Sequence, residues 1–116
     1  MDNPLRDKTI VITGAFGVLG RAAAELASAQ GAQVAMLDVK TSAQSITLPA
    51  LAIAVDLSDA AAAGRAMNTV RAQTGAIDAL LNIAGGFAWE SFAEGGAIAT
   101  WDQMFALNLR TALVAC

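Results

Sequence analysis

Three glycines with a regular spacing are the first residues in the chain that could do chemistry. Gly14, Gly17 and Gly20 lie in the stretch TGAFGVLG, between the apolar run TIVI and the alanine-rich run RAAAELASAQ. Glycine has no Cβ, so the backbone can turn sharply and a phosphate can approach it closely. The first amides of a following helix also attract an anion. The spacing therefore predicts a phosphate-binding loop, with a tight turn alone as the alternative.

Acidic residues follow the next two apolar runs. Asp38 ends AQVAMLD, 18 residues after Gly20, and an acid about 20 residues beyond such a loop can accept hydrogen bonds from adenosine ribose hydroxyls. An ordinary exposed aspartate at a strand end is the alternative. Because an unpaired carboxylate repels a 2′-phosphate, Asp38 favours NAD over NADP. Asp56 taken alone indicates only a residue that assists a helix cap at Ser58.

The composition excludes several classes of function. The 116 residues contain no histidine, no tyrosine and one cysteine, Cys116, so a His-dependent triad is impossible within the chain and we expect no metal site. A net charge of −3 with no basic run argues against nucleic-acid and membrane partners. The chain has neither a secretory leader pattern nor an apolar span of about 18 residues, and a single cysteine fits the reducing cytoplasm.

Short apolar runs alternate with longer alanine-rich segments. The predicted order is strand 9–14, helix 18–30, strand 32–38, loop 40–50, strand 51–56, helix 57–75, strand 76–86, loop 87–99 and a helix from Trp101 to about Val114. Such alternation predicts parallel strands joined by crossovers, which is the doubly wound α/β class, in one domain over residues 1–116.

Helix boundaries have their own signals. Gly31 ends the first helix, Ser58 is the expected N-cap of the second, and Thr100 with Gln103 forms a capping box for the third. The last helix is apolar around most of its circumference and so needs partners on more than one side. Four strands are two fewer than the six of a dinucleotide fold, so we expect these residues to be the front part of a longer protein or a shortened one.

Small residues follow the fourth predicted strand. Asn82, Ala84 and Gly85 close this strand in LLNIAGG. The carboxyl ends of parallel strands face the ligand crevice of an open α/β sheet. Small side chains there indicate that something flat lies against the backbone.

Four motifs in order, TGAFGVLG, VDLSD, LLNIAGG and MFALNL, resemble the short-chain dehydrogenase/reductase family from about Lys8 onward. The resemblance implies a Rossmann-type fold, a nicotinamide cofactor, hydride transfer to or from a small alcohol or carbonyl substrate, and a homo-oligomer that pairs through the helix beginning at Trp101. NAD is the expected cofactor, with NADP less favoured. Trp89 and Phe92 are candidates for the substrate pocket, with packing on the core as the alternative.

The resemblance also assigns residues. The glycines would frame the pyrophosphate, Asp38 would hold the adenosine ribose, and Asp56 with Leu57 would flank the adenine. Asn108 matches the asparagine that joins the family's catalytic group through a relay water. The cofactor-binding residues it implies are Gly14, Phe16, Gly17, Val18, Leu19, Gly20, Asp38, Val39, Asp56, Leu57, Asn82, Ala84 and Gly85.

The chain departs from the family pattern at three points. Val18 occupies the place of the loop's middle glycine, which Gly17 carries instead, and Ile83 replaces the second asparagine of the fourth-strand motif. The family's serine and its Tyr-x-x-x-Lys pair come later than any residue here, so this segment alone is expected to be inactive. A dinucleotide sensor without chemistry is the second hypothesis. A methyltransferase is a weaker third, against which Thr13 and the Asn-x-Ala-Gly segment argue.

Overall fold

A four-stranded parallel sheet forms the centre of the molecule. The computed structural model describes residues 3–41, 48–88 and 97–116. Its elements are β1 (Thr9–Thr13), α1 (Val18–Ala29), β2 (Gln33–Asp38), β3 (Ala50–Ala54), α2 (Ala60–Thr74), β4 (Ala79–Asn82), α3 (Ala97–Phe105), a π-helical turn (Ala106–Arg110, hereafter the π-turn) and α4 (Thr111–Ala115). The strand order β3-β2-β1-β4 confirms the doubly wound parallel sheet.

The sheet is covered on both faces. Alternate residues of β1 enter different cores: Ile10 and Ile12 pack with Ala24 of α1, whereas Val11 packs with Val70 of α2. Because both faces are covered, all five residues of β1 are buried. The chain runs from β1 outward to β2 and β3, and then returns to place β4 on the other side of β1. A crevice at the carboxyl ends of the strands is expected at this reversal.

The start of α2 differs from the sequence prediction. Asp59 is the N-cap, because its carboxylate accepts hydrogen bonds from the amides of Ala61 and Ala62 at 3.0 and 3.2 Å. Ser58 does not cap the helix, since its hydroxyl and its amide both donate to Asp56 Oδ1. Because Asp56 holds Ser58 in a turn, the N-cap lies one residue later than predicted.

The strand β4 is shorter than the predicted 76–86. Pairing with β1 begins at the Asp78 amide, which donates to the Thr9 carbonyl, and the last paired residue is Asn82 opposite Thr13. Beyond that point the Thr13 hydroxyl accepts the amides of the next two residues, so the backbone leaves the ladder. Trp89 and Phe92, with most of the predicted loop 87–99, lie outside the described residues.

The last helix begins earlier than predicted. It starts at Ala97, so Thr100 lies inside α3 and the predicted capping box is wrong. Residues 97–99 are Ala-Ile-Ala, which contain nothing that breaks a helix. The helix then widens into the π-turn before α4, a feature that is rare and often occurs at functional sites.

Two glycines around α2 give a prediction about stability. A Cβ on Gly64, in the middle of the helix, would meet no atom within 4 Å, so Gly64→Ala is expected to raise the free energy of unfolding by about 0.5–1 kcal/mol. Gly75 ends the helix at φ +87°, a conformation that strains any residue with a side chain. Gly75→Ala is therefore expected to lower the free energy of unfolding by about 1 kcal/mol, although an added Cβ would again meet no atom within 4 Å. Urea unfolding of both variants checks this. A shift in the same direction for both would contradict it.

Candidate functional site

A cleft of about 480 Å³ opens at the carboxyl edge of the sheet, where the strand order reverses. The predicted cofactor residues that line it are Gly14, Gly17, Val18, Leu19, Gly20, Asp38, Val39, Asp56, Leu57, Ala84 and Gly85. Other lining residues were not predicted: Val55, Ser58, Ile83, Gln103, Ala106, Leu107 and Thr111. The structure thus brings four separate sequence motifs to one surface.

In the glycine loop, residues 14–20, close packing requires glycine at two positions, Gly14 and Gly20. Gly14 has φ +62°, and a Cβ on it would lie 2.8 Å from both Cα and N of Ala84. A Cβ on Gly20 would overlap the Gly14 carbonyl oxygen and lie 2.7 Å from Ala15 Cα. These contacts let β1, α1 and the loop after β4 approach each other closely.

Gly17 is different from the other two glycines. A Cβ there would make one ordinary contact, 3.5 Å to the Gly14 carbonyl oxygen. The residue is exposed, lines the cleft, and is the N-cap of α1 without a side-chain hydrogen bond. Packing therefore does not require glycine at position 17, and the first amides of α1 lie open to the cleft. Open space beside uncapped amides is what an anionic ligand needs.

Asp38 fixes the glycine loop as well as lining the cleft. Its Oδ2 accepts the Phe16 amide at 3.0 Å and its Oδ1 accepts the Val39 amide at 2.7 Å. A carboxylate has about four acceptor positions, so capacity remains for hydroxyl groups of a ligand. The sequence pattern indicated the ligand role of Asp38 and gave no sign of this contact with the loop.

Phe16 does not line the cleft. Its ring packs against the α1-side core and lies 5.8 Å from the Arg21 guanidinium, while its carbonyl accepts the Arg21 Nε hydrogen bond at 3.0 Å. The Phe16 amide also donates to Asp38, so Phe16 stabilises the glycine loop from outside the cleft. Its expected contact with a cofactor remains a prediction that the cleft does not favour.

Ser58 lowers the pKa of Asp56. The hydroxyl and then the amide of Ser58, at 2.6 and 2.9 Å from Oδ1, hold the pKa of Asp56 below its ordinary value, because both bonds favour the ionised form. A lowered folded-state pKa stabilises the fold above the unfolded-state pKa, and the contribution is lost as pH falls through the folded-state pKa. The residue is exposed, so this contribution to stability is small.

Ser58→Ala is expected to raise the pKa of Asp56 toward its ordinary value. The substitution removes the hydroxyl bond, the larger cause of the shift, and keeps the amide bond. The pH dependence of the Asp56 carboxyl carbon shift in NMR measures it. Ser58→Thr keeps a hydroxyl and is the matched control. An unchanged pKa of Asp56 in the alanine variant would contradict the prediction that the Ser58 hydroxyl lowers it.

A buried threonine holds the loop after β4 in place. The Thr13 hydroxyl accepts the amides of Ile83 and Ala84 at 3.1 and 3.0 Å and faces the Leu81 carbonyl oxygen at 3.4 Å. The side chain is 1% exposed. Thr13 was not among the predicted site residues. The available signal was a hydroxyl side chain at the end of a strand whose three central residues are apolar.

The two asparagines of the predicted site lie apart. The Asn82 side chain approaches Cys116, with Nδ2 and Sγ 3.7 Å apart, and does not line the cleft. Asn108, in the π-turn, accepts the Gly86 amide through Oδ1 at 3.1 Å and donates through Nδ2 to the Gly86 carbonyl at 2.9 Å. A Cβ on Gly85 would lie 2.6 Å from that Oδ1, so the pairing needs glycine there.

Two kinds of feature are absent from residues 3–41, 48–88 and 97–116, a metal-binding cluster and a membrane-spanning helix. No group of three or more metal-ligating side chains is close enough to hold an ion. No helix of the same residues has the length and hydropathy to cross a membrane.

The parallel sheet with its reversal, and the cleft lined by a glycine loop, define a doubly wound α/β protein of the Rossmann type. The sequence profile described as short chain dehydrogenase matches residues 8–116. The chain therefore belongs to the short-chain dehydrogenase family.

Three relatives illustrate the match. The chain is 42% identical to the meso-2,3-butanediol dehydrogenase of Serratia marcescens over 85 residues, 68% of this chain and 34% of that protein. It is 32% identical to the NAD-dependent glycerol dehydrogenase of Listeria innocua, over 94% of this chain and 44% of that one. In structure it is similar to a glucose/ribitol dehydrogenase of Brucella melitensis, with TM-score 0.89 and 32% identity, over 100% of this chain and 52% of that one. The chain spans about half the length of its relatives.

Proposed function

We propose that the cleft binds NAD, and that the whole protein transfers a hydride between the nicotinamide and an alcohol or carbonyl substrate. The observation that carries this proposal is that Gly17 and Asp38 line the same cleft. The open amides beside Gly17 suit a pyrophosphate, and the spare acceptor capacity of Asp38 suits ribose hydroxyls. No lysine or arginine occurs among the described residues that line the cleft, which favours NAD over a 2′-phosphorylated cofactor.

The remaining lining residues fit the rest of such a ligand. Asp56 and Leu57 would flank the adenine, and Ala84 and Gly85 would lie against the nicotinamide half. A bound nicotinamide supplies the hydride chemistry; the residues described here bind and orient it. By its match to the family motif, Asn108 would be the asparagine that holds the relay water of the catalytic group. Its hydrogen bonds with Gly86 keep the π-turn beside the loop after β4.

The relatives' names favour small polyhydroxy alcohols within the alcohol or carbonyl class. Butanediol and glycerol dehydrogenases are among the similar proteins. Exchange of the substrate's hydroxyl proton needs an acid/base, the tyrosine in this family, and these 116 residues contain none. We therefore expect them to bind the cofactor without turnover on their own.

Calorimetric titration with NAD, NADP and S-adenosylmethionine tests the binding proposal. We expect NAD to bind at least about tenfold more tightly than NADP, and Asp38→Asn to narrow that gap by removing the charge that repels a 2′-phosphate. Tighter binding of S-adenosylmethionine would overturn the proposal.

Val18, which stands in the place of the family's middle glycine, supports a second candidate, a dinucleotide sensor without chemistry. Oxidation of NADH by the whole protein with a panel of carbonyl compounds separates the two. Turnover excludes the sensor, and tight NADH binding with no turnover for any carbonyl excludes the enzyme.

A homo-oligomer and a cytoplasmic location are part of the same proposal. Ile98, Trp101, Phe105, Leu109 and Leu113 are exposed at three- and four-residue spacing along the last helix. A stripe of this kind suits pairing with a second copy. The single cysteine fits a reducing compartment.

A further inference from the structure

The π-turn is fastened on two sides by its own side chains. Asn108 bonds to Gly86, in the loop after β4. Two residues on, Arg110 Nε donates to the Ser58 carbonyl at 2.8 Å, in the loop after β3. These strands are the two outer strands of the described sheet. The π-turn therefore bridges loops that follow opposite edges of the sheet, with the cleft between them.

The bond made by Arg110 joins two walls of the cleft. Leu107 and Thr111, its neighbours on the helix, line one wall, and Leu57 and Ser58 line the other. Ser58 is held from its other side as well, because its amide and its hydroxyl both bond to Asp56. With its carbonyl on Arg110, Ser58 has its amide, its hydroxyl proton and its carbonyl all hydrogen-bonded. The separation of the two walls is thus tied to this contact, beside the packing of Val114 against the core that contains Leu57.

We propose that Arg110 is a positioning residue that fixes the width of the adenosine half of the cleft. This inference rests on the proposed function, because it takes the space beside Asp56 and Leu57 as the place of the adenine. A flat ring gains most from walls that are already the right distance apart, since binding does not then have to order them. Arg110 would act through the Ser58 loop and does not itself line the cleft.

Two neutral substitutions separate the hydrogen bond from the charge. Arg110→Gln places the Nε2 donor the same number of bonds from Cα as the arginine Nε, so it can replace the bond to Ser58. Arg110→Met has similar length and no donor. Both remove the same positive charge, so a loss of general attraction for an anionic ligand affects them equally.

The test measures ADP-ribose affinity by calorimetry for the original protein and both variants, well below the unfolding transition of each. We expect Arg110→Met to weaken binding about three- to tenfold, and Arg110→Gln to stay within about twofold of the original. Equal weakening in both variants would assign the effect to charge and overturn the inference. Unchanged affinity in Arg110→Met, even with lowered stability, would also overturn it. If the original protein binds no ADP-ribose, the proposed function itself fails.

Discussion

Gly17→Ala is expected to leave the chain folded and to weaken dinucleotide binding at least about tenfold, whereas Gly20→Ala is expected to disrupt the fold. A methyl group on Gly17 meets only an ordinary 3.5 Å contact, and the backbone there, at φ −78°, suits any residue. The stability loss is at most about 1 kcal/mol, because alanine is a poorer N-cap than glycine. The same methyl projects where a phosphate must approach the amides of α1.

At Gly20 an added methyl group would meet backbone atoms of two residues. An added Cβ would overlap the Gly14 carbonyl oxygen and press on Ala15 Cα, and neither atom can move without shifting β1 or α1. We expect a loss of about 3 kcal/mol or more in the free energy of unfolding, a large part of a small domain's stability. Urea unfolding and NAD titration of both variants measure the two effects. If Gly17→Ala bound NAD like the original protein, the glycine would serve the turn alone.

Two kinds of feature could be predicted from the sequence: strands that are apolar because both faces of the sheet are buried, and a helix end that requires a glycine. β1 and β2 are apolar on both faces because the sheet is covered on both faces, so their runs were recognisable. Gly31 ends the first helix as predicted, and its φ of +97° explains why a glycine is needed there.

The errors come from competition between local hydrogen bonds and from contacts distant in sequence. Ser58 and Asp59 are both good caps, and only the turn made by Asp56 decides that Asp59 is used. The π-turn has little local signal. Of the bonds made by Asn108 and Arg110, only those from Asn108 to Met104 are local, and the others join residues 22 and 52 positions away.

The site shows the same division. The glycine motif and Asp38 could be placed in one cleft from spacing, because a strand, a turn and a helix fix their relative positions within about 25 residues. Asn82 could not be placed, since the side of the short edge strand it faces depends on pairing with β1. Thr13 was overlooked because its partners lie about 70 residues further along the chain.

Thr13→Val is expected to lower the free energy of unfolding by about 2–4 kcal/mol. Valine keeps the shape of the side chain and removes the hydroxyl that accepts the amides of Ile83 and Ala84. Each buried donor left without a partner costs about 1–3 kcal/mol, and partial movement of the loop limits the sum. Thr13→Ser is the matched control, because it keeps the hydroxyl and loses one buried methyl, at a cost of about 1 kcal/mol.

The same pair of variants tests how the strand end shapes the cleft. Ile83 and Ala84 line it, and in Thr13→Val their amides lose the hydrogen bonds to β1. NAD affinity is therefore expected to fall further in Thr13→Val than in Thr13→Ser, when both are measured at a temperature where each is folded. Losses of stability and of affinity in Thr13→Val that are no larger than those in Thr13→Ser would mean that the hydroxyl bonds to Ile83 and Ala84 do not hold the loop. The loop after β4 would then depend on Asn108 for its position.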